Sequence, residues 1–308
     1  MTSCTTYIRG RRLRATKLDN CGRPIEGDTS VVTSRGMASV GIATNLQEGT
    51  EITVPNANGE TLARVPGKPQ MLGHTLTITL NQVDPELFTL LTGQELALDH
   101  DGKAVGFTTD DTISVEDVSF AFELWMGAPA GDDCDEEGSE GAFGYVLLPF
   151  VQGGVLGDLT VEDGAVSFTI NSASTKTGNR WGVGHYAVVR DGAGDPALLP
   201  NPLKKTQHML IRSTSVAPPM YHCGARPFLP AGDEAITDFT ATDVALEVTF
   251  SPTPTGTDPF WVDFGDGTWD YSSTGADLVH TYEEAGTFTA TMYRGIAKVD
   301  KEVTVTES

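Results

Sequence analysis

The stretch "WVDFGDGTWDY", residues 261 to 271, places two carboxylates, Asp263 and Asp266, three residues apart beside glycines. Side chains of that type at that spacing can ligate a metal ion, work as an acid–base pair, or hold a tight turn. A catalytic pair needs an environment that raises the pKa of one member, and nothing in the flanking residues suggests one. A turn explains the stretch more simply. Asp266-Gly267 is a favoured hairpin pair, Gly265 relaxes the entry to it, and Asp263 can fold its carboxylate back on the turn amides. A calcium ion here is the weaker reading. The other acidic cluster, "GAPAGDDCDEEGSEG", carries six acids within residues 131 to 140. It lacks the spaced ligand pattern of an EF-hand, and a solvated acidic loop is the simpler expectation.

Other chemistry is hard to assemble. The histidines His74, His100, His185, His208, His222 and His280 are scattered, with no H-E-x-x-H. "HCG" at 222 to 224 sets a His beside a Cys, but adjacent residues rarely face each other productively. No G-x-S-x-G nucleophile elbow occurs. "GNRWGVGHY" has spaced glycines without the preceding strand and following helix of a dinucleotide site, so turns and bulges are the better account. Cys4, Cys21, Cys134 and Cys223 form no C-x-x-C and are expected as free thiols in a reducing compartment, with a Cys4–Cys21 bridge left open. The expectation is a protein without catalysis, cofactor or metal.

The elements around these residues read as mainly β. "TLTITL" alternates cleanly. "VSFAFELWM" sets Val118, Phe120, Phe122, Leu124 and Met126 on one face and Ser119, Ala121, Glu123 and Trp125 on the other. "LTVEDGAVSFTI" predicts a hairpin turning at Glu162-Asp163-Gly164, and "HYAVVR" and "QHMLIR" predict two more strands. One helix stands out in "QVDPELFTLLTG". Asp84 is its N-cap, Pro85 its first residue, Val83 and Phe88 a hydrophobic staple, and Gly93 its stop. Thr44 to Pro69 has weak periodicity and reads as a long functional loop or interaction arm. "APPMYHCGARPFLPAGDE" reads as a linker over 217–234. It separates a first domain, 1–216, from a second, 235–308, in which about seven short β runs fit an immunoglobulin-like sandwich.

The chain has 308 residues, 20 basic and 42 acidic side chains, and a formal charge of −22. Such a surface repels phosphate, which binds by releasing counterions to Lys and Arg, so a sequence-reading nucleic-acid binder is not expected. From Asp233 onward 15 acids face 3 bases. The first 23 residues run the other way, with Arg9, Arg11, Arg12, Arg14, Lys17 and Arg23 against Asp19 alone. A basic arm of that kind can dock on a neighbouring acidic copy or simply remain a solvated strand. No signal peptide follows the N-terminal charges, and the longest apolar run, "YVLLPFV", is far short of a membrane span. A soluble intracellular product is expected.

Two resemblances follow from particular residues. "WVDFGDGT" with "HTYEEAGTFTATM" resembles the PKD-type immunoglobulin-like family, through Trp261, Asp263, Phe264, Gly265, Asp266, Gly267, His280, Tyr282, Gly286 and Phe288. Trp261 sits one residue earlier than the commonest form, so Phe264 is expected to take part of its core role. The family implies a binding or spacer module without chemistry. The stretches "RRLRATKLDNCGRPIEG", "GTEITVPNANGE" and "NQVDPELFTLLTG" resemble the major tail (tail tube) proteins of long-tailed actinobacterial phages, or siphoviruses.

That second resemblance implies a β-sandwich or barrel-like subunit with one short helix, closing into rings, usually hexamers, that stack into a hollow virion tail. The chain would be made in the host bacterial cytoplasm. Its implied partners are further copies of itself, a tape-measure protein, a tail terminator and tail tip proteins, with DNA passing through unbound and no membrane involved. The immunoglobulin-like module would project outward, with a weak host-surface glycan contact as a further expectation. Ring closure requires two different matching faces. The candidate inter-subunit contacts are Arg9, Arg11, Arg12 and Arg14 on the basic arm, and Glu48, Glu51, Asn56, Asn58, Arg64 and Lys68 in the 44–69 segment. The rival reading is a secreted or surface carbohydrate-binding or adhesive protein acting through its last domain, with Trp269 and Tyr271 stacking on sugar rings.

Overall fold

The computed structural model describes residues 8–127, 143–162, 165–178, 180–182, 184, 186–228, 236–272, 274–294 and 297–307. The acidic run at 131–140, Cys4, Cys134, His185 and the turn at 163–164 lie outside the described residues. The chain opens with β1 (Ile8–Lys17), β2 (Gly27–Ser34) and β3 (Met37–Gln47), then β4 (Ile52–Pro55), β5 (Thr61–Val65) and β6 (Gln70–Leu80). Helix α1 (Pro85–Thr92) is followed by the small hairpin β7 (Leu96–Leu98) and β8 (Ala104–Phe107). Next come β9 (Ser119–Gly127), β10 (Phe143–Gln152), β11 (Val155–Glu162) and β12 (Ala165–Thr175). The short β13 (Val189–Arg190) and β14 (Pro196–Ala197) precede β15 (Leu210–Thr214) and β16 (Ala225–Phe228).

Ten of these strands form one antiparallel sheet in the order β16-β2-β1-β9-β10-β12-β6-β3, with β11 added on β12 and β15 on β10. The sheet curls. Leu13 and Ala15 of β1, Val32 of β2, Ile78 and Leu80 of β6, Phe120 and Phe122 of β9 and Ile170 of β12 all belong to one buried cluster. Strands from both ends of the order can share a core only if the sheet bends around it, and the twist of antiparallel strands supplies that bend. The predicted fold class, mainly β with one short helix, is the observed one.

The alternation in "VSFAFELWM" is realised with both faces buried. Val118, Phe120, Phe122 and Leu124 enter the main core. Ala121 and Trp125 join Tyr145, Leu147 and Phe150 of β10 under a cover of Trp181, Val188 and Leu199. This second layer explains the near-continuous burial of β9 and β10, as expected for strands packed on two sides. It also corrects the reading of "HYAVVR". Its described part pairs only at Val189–Arg190, because Ala187 and Val188 are spent as cover over the sheet.

Helix α1 plugs the curled sheet. Asp84 caps it by accepting from the Glu86 and Leu87 amides at 3.1 and 3.3 Å, and Gly93 ends it in the left-handed region at φ 72°. Leu87, Phe88 and Leu91 are fully buried. The expected staple is different: Val83 keeps 46% of its surface exposed, and Phe88 instead stacks on Phe107 at 4.7 Å and meets Phe168 edge-on.

A charged cluster sits between the two layers. Register places Arg14 of β1 directly opposite Glu123 of β9, and Glu123 is completely buried. Arg14 pairs with the Glu123 carboxylate, Tyr145 donates its hydroxyl to it at 2.5 Å, and the guanidinium lies 4.1 Å from the Tyr186 ring centroid. Burial pushes the Glu123 carboxyl up, while Arg14 and the Tyr145 hydroxyl pull it back towards the charged form.

The expected linker at 217–234 is shorter than its composition suggests. Ala225–Phe228 is strand β16, paired with β2 at the sheet edge. Pro227 is tolerated there because an edge strand has one side that makes no ladder bonds. Residues 229–234 of the candidate linker lie outside the described residues.

The second domain carries the seven predicted strands: β17 (Asp238–Val244), β18 (Glu247–Thr253), β19 (Phe260–Asp263), β20 (Trp269–Ser272), β21 (Leu278–Thr281), β22 (Gly286–Arg294) and β23 (Ala297–Val305). They form a three-stranded sheet, β17-β18-β21, and a four-stranded one, β20-β19-β22-β23. Between them lie Phe239, Phe250, Phe260, Val262, Phe264, Tyr282 and Met292, the interleaved core of a β-sandwich.

Candidate functional site: an uncovered hairpin arm

The 44–69 segment is not a loop. β3 and β6 pair from Met37↔Leu80 out to Gln47↔Gln70, so that Val40 and Ile42 touch the core while Leu46 and Met71, opposite each other further out, are exposed. Beyond them the two chains cross at Gly49 and Gly67. A Cβ on Gly49 would collide with the backbone of Gly67 and Lys68, and one on Gly67 would collide with Gly49. Only glycine permits so close a crossing. Past this neck, β4 and β5 form a separate two-stranded ribbon.

The ribbon is amphipathic. Ile52 faces Val65 and Val54 faces Ala63 across the strands, and positions two apart share a face, so these four make one apolar stripe. Ile52, Val54 and Val65 are 60%, 49% and 57% exposed. The opposite face carries Thr53 and Arg64, and Leu62, at the register shift next to them, is also exposed. Arg64 donates to Glu51 through Nε and Nη2 at 2.7 and 2.8 Å, and Arg64 with Thr53 holds the Glu51 carboxyl below its ordinary value. The polar face thus neutralises its own charges. Among the described residues nothing covers the apolar face.

An isolated two-stranded ribbon is marginal in water, and contiguous exposed apolar surface usually marks an interaction site. A second uncovered stripe lies on β11 and β12, where Val161 opposes Val166 and Leu159 sits two residues along; all three are exposed.

The predicted contact residues divide accordingly. Glu48, Glu51, Asn58, Arg64 and Lys68 are exposed on the arm. Asn56 shapes its tip: its Oδ1 accepts from the Asn58 and Glu60 amides at 3.0 and 2.8 Å, and its Nδ2 donates to Glu60. The described basic residues belong to an interior strand between β2 and β9 rather than to a free arm. Arg9 is exposed at a bulge, Arg11 and Arg12 are half-buried, and Arg12 lies 5.1 Å from the Tyr221 ring. Arg14 is withdrawn from the contact set, because it is buried against Glu123. Ile52, Val54, Ala63 and Val65 were missed. Their signal is the alternation in "ITVP" and "TLARV" flanking Asn58-Gly59, a short-range hairpin pattern.

The turn at 263–268 resolves the two aspartates. Asp263 Oδ1 accepts from the Gly265 amide at 3.0 Å. Asp266 Oδ1 accepts from the Thr268 amide and hydroxyl at 2.9 and 2.6 Å, and its Oδ2 lies 2.7 Å from His280 Nε2. Burial raises the Asp266 carboxyl, but these Thr268 and His280 bonds outweigh it and hold the group below its ordinary value. Gly265 and Gly267 have φ of 80° and 92°. His280 stacks on Phe264 at 3.9 Å, Tyr282 donates to the Phe264 carbonyl at 3.0 Å, and Phe288 stacks on Tyr282. Gly286 starts β22 beside the Phe288 ring. Phe264 is buried, whereas Trp261 lies on the outer sheet face, stacked on Tyr293 at 4.0 Å.

Among the described residues no three His, Cys, Asp or Glu side chains converge as metal ligands. A cleft of about 230 Å³ beside α1 is lined by Lys17, Thr29, Glu86, Thr89, Asp117 and Ser119 among others, without a His or Cys to pair as nucleophile and base. No helix among the described residues is long and apolar enough to cross a membrane. No protein-family model matches the chain, and no curated protein matches it.

Proposed function

We propose that the chain is a self-assembling structural subunit of a phage tail tube, closing into rings that stack into a conduit for DNA and carrying its second domain on the outside. The observation that carries this reading is the hairpin arm, whose apolar face is left exposed among the described residues. Ring closure and stacking need two unlike faces, and the arm and the β11–β12 stripe are two such faces. The net charge of −22 suits a passage that must not retain phosphates. Tape-measure, terminator and tip proteins would be its partners in the virion. The adhesive reading is weaker, because Trp269, one of the two rings it relies on, meets Trp261 edge-on and has the Arg226 guanidinium 5.2 Å from its centroid.

The test is electron microscopy of the concentrated full-length chain beside a variant lacking residues 50–66. The backbones of Gly49 and Gly67 already touch, so the deletion joins neighbours. Hollow stacked rings from the full chain, and folded single subunits with an unchanged melting temperature from the deletion, are expected. Tubes formed without the arm would remove it from the mechanism. A full chain that stays monomeric at every concentration, yet binds glycans, would favour the adhesive reading.

A further inference from the structure

Among the described residues, side chains of the second domain meet the first around His222 and Arg226. The outer face of its four-stranded sheet carries a row of aromatics, since Trp261 is the cross-strand partner of both Tyr271 and Tyr293. Trp269 and Asp263, themselves partners, form the next row. His222 Nδ1 lies 3.4 Å from Asp263 Oδ2, and its ring meets Trp261 edge-on. The Arg226 guanidinium lies 5.2 Å from the Trp269 ring centroid.

The first-domain side of this patch is braced. The His222 amide donates to the Thr33 carbonyl at 3.3 Å. The Gly224 amide donates to Asp84 Oδ2 at 3.0 Å, and the Ala225 amide donates to Glu86. Asp84 therefore uses one oxygen to cap α1 and the other to hold the 222–226 segment. Gly224, at φ 79°, passes so close to the Glu86 carboxylate that a Cβ would strike it. Helix, sheet edge and segment form one rigid support, and Arg226 leads from it onto the second domain.

We propose that this contact is a latch that holds the second domain in a single orientation on the first, so that the module is a fixed projection rather than a tethered one. Cation–aromatic and edge-on ring contacts gain strength as water is excluded, and the latch places both over aromatics that an isolated sandwich would leave wet. Its consequence is which face meets the surroundings. The aromatic sheet turns inward, and the β17-β18-β21 sheet, with Val244 and Val279 exposed, is the one that meets solvent. This inference does not rest on the tail-tube reading.

The latch is also sensitive to acid. Burial and the neighbouring Arg226 push the His222 imidazole from 6.5 down to about 4, with Asp263 pulling the other way. Release lifts the burial under Trp261 but leaves Arg226 beside His222 on the same segment, so only the burial part of the shift is linked to docking. A released His222 protonates more readily than a docked one, and docking weakens as pH falls towards about 4.

Small-angle scattering of the full-length chain, at dilutions where it is monomeric, tests the proposal. The wild type should show one sharp interdomain spacing at pH 7.5. Arg226→Ala on one side and Trp269→Ala on the other should each broaden the distance distribution and enlarge the radius of gyration, with circular dichroism unchanged. Acidifying the wild type to pH 4.5 should move it towards the variants. A broad wild-type distribution at pH 7.5 would overturn the latch, as would variant curves that superimpose on the wild type. Using variants on both sides guards against one of them failing to fold.

Discussion

Glu123→Ala destabilises the first domain by about 3–5 kcal/mol, the range for breaking a buried ion pair from one side. The size follows from what remains. Arg14 keeps its charge in a layer closed by Trp125 and Tyr186, with no carboxylate opposite it in the register. The buried Tyr145 hydroxyl loses its acceptor. The expected check is urea unfolding followed by tryptophan fluorescence, since Trp125 packs on Tyr145 at 5.0 Å. The double variant Arg14→Met/Glu123→Leu should recover most of the loss, because apolar residues of similar volume often replace a buried pair without cost. A loss below about 1 kcal/mol in Glu123→Ala would mean that water reaches Arg14 and that the layer is not dry.

Glu123 also shows what the sequence made legible. A lone acid in "SFAFELWM" must meet a partner if both strand faces are buried, yet the chain alone gives no reason to choose Arg14 over Arg12 or Arg11. The choice is made by register, a long-range property set when β1 and β9 align. Local signals fared better. Asp84, Pro85 and Gly93 bound α1 as expected, and the seven runs after 235 became seven strands. Composition misled at "APPMYHCGARPF", where prolines suggested a linker and tertiary pairing with β2 made a strand. At the arm, Glu48, Asn56 and Lys68 were candidates through their place in a segment of weak periodicity, and the exposed apolar side chains of Ile52, Val54 and Val65 stand beside them. Exposure of an apolar side chain is a fact about the rest of the fold, and no window of sequence contains it.

Val54→Asp should abolish assembly while leaving the subunit folded. Fully burying a valine is worth about 1.5–3 kcal/mol, so covering the exposed half of Val54 yields on the order of 1 kcal/mol at each contact, and Ile52 and Val65 contribute on the same scale. An aspartate at 54 forfeits that gain and asks the interface to bury a carboxylate without a partner, which costs several kcal/mol more. A combined penalty of about 3 kcal/mol raises the concentration needed for assembly roughly a hundredfold, at 1.4 kcal/mol per factor of ten. Folding should be spared, because Val54 is exposed in the subunit and surface changes usually stay within about 0.5 kcal/mol. The neighbouring Thr53→Asp is the decisive comparison. It adds the same charge one residue away, on the face where Thr53 opposes Arg64. If the arm docks through its apolar stripe, sedimentation at matched concentrations will show Thr53→Asp assembling and Val54→Asp not. Equal behaviour of the two would mean that added charge alone, and not the stripe, governs assembly.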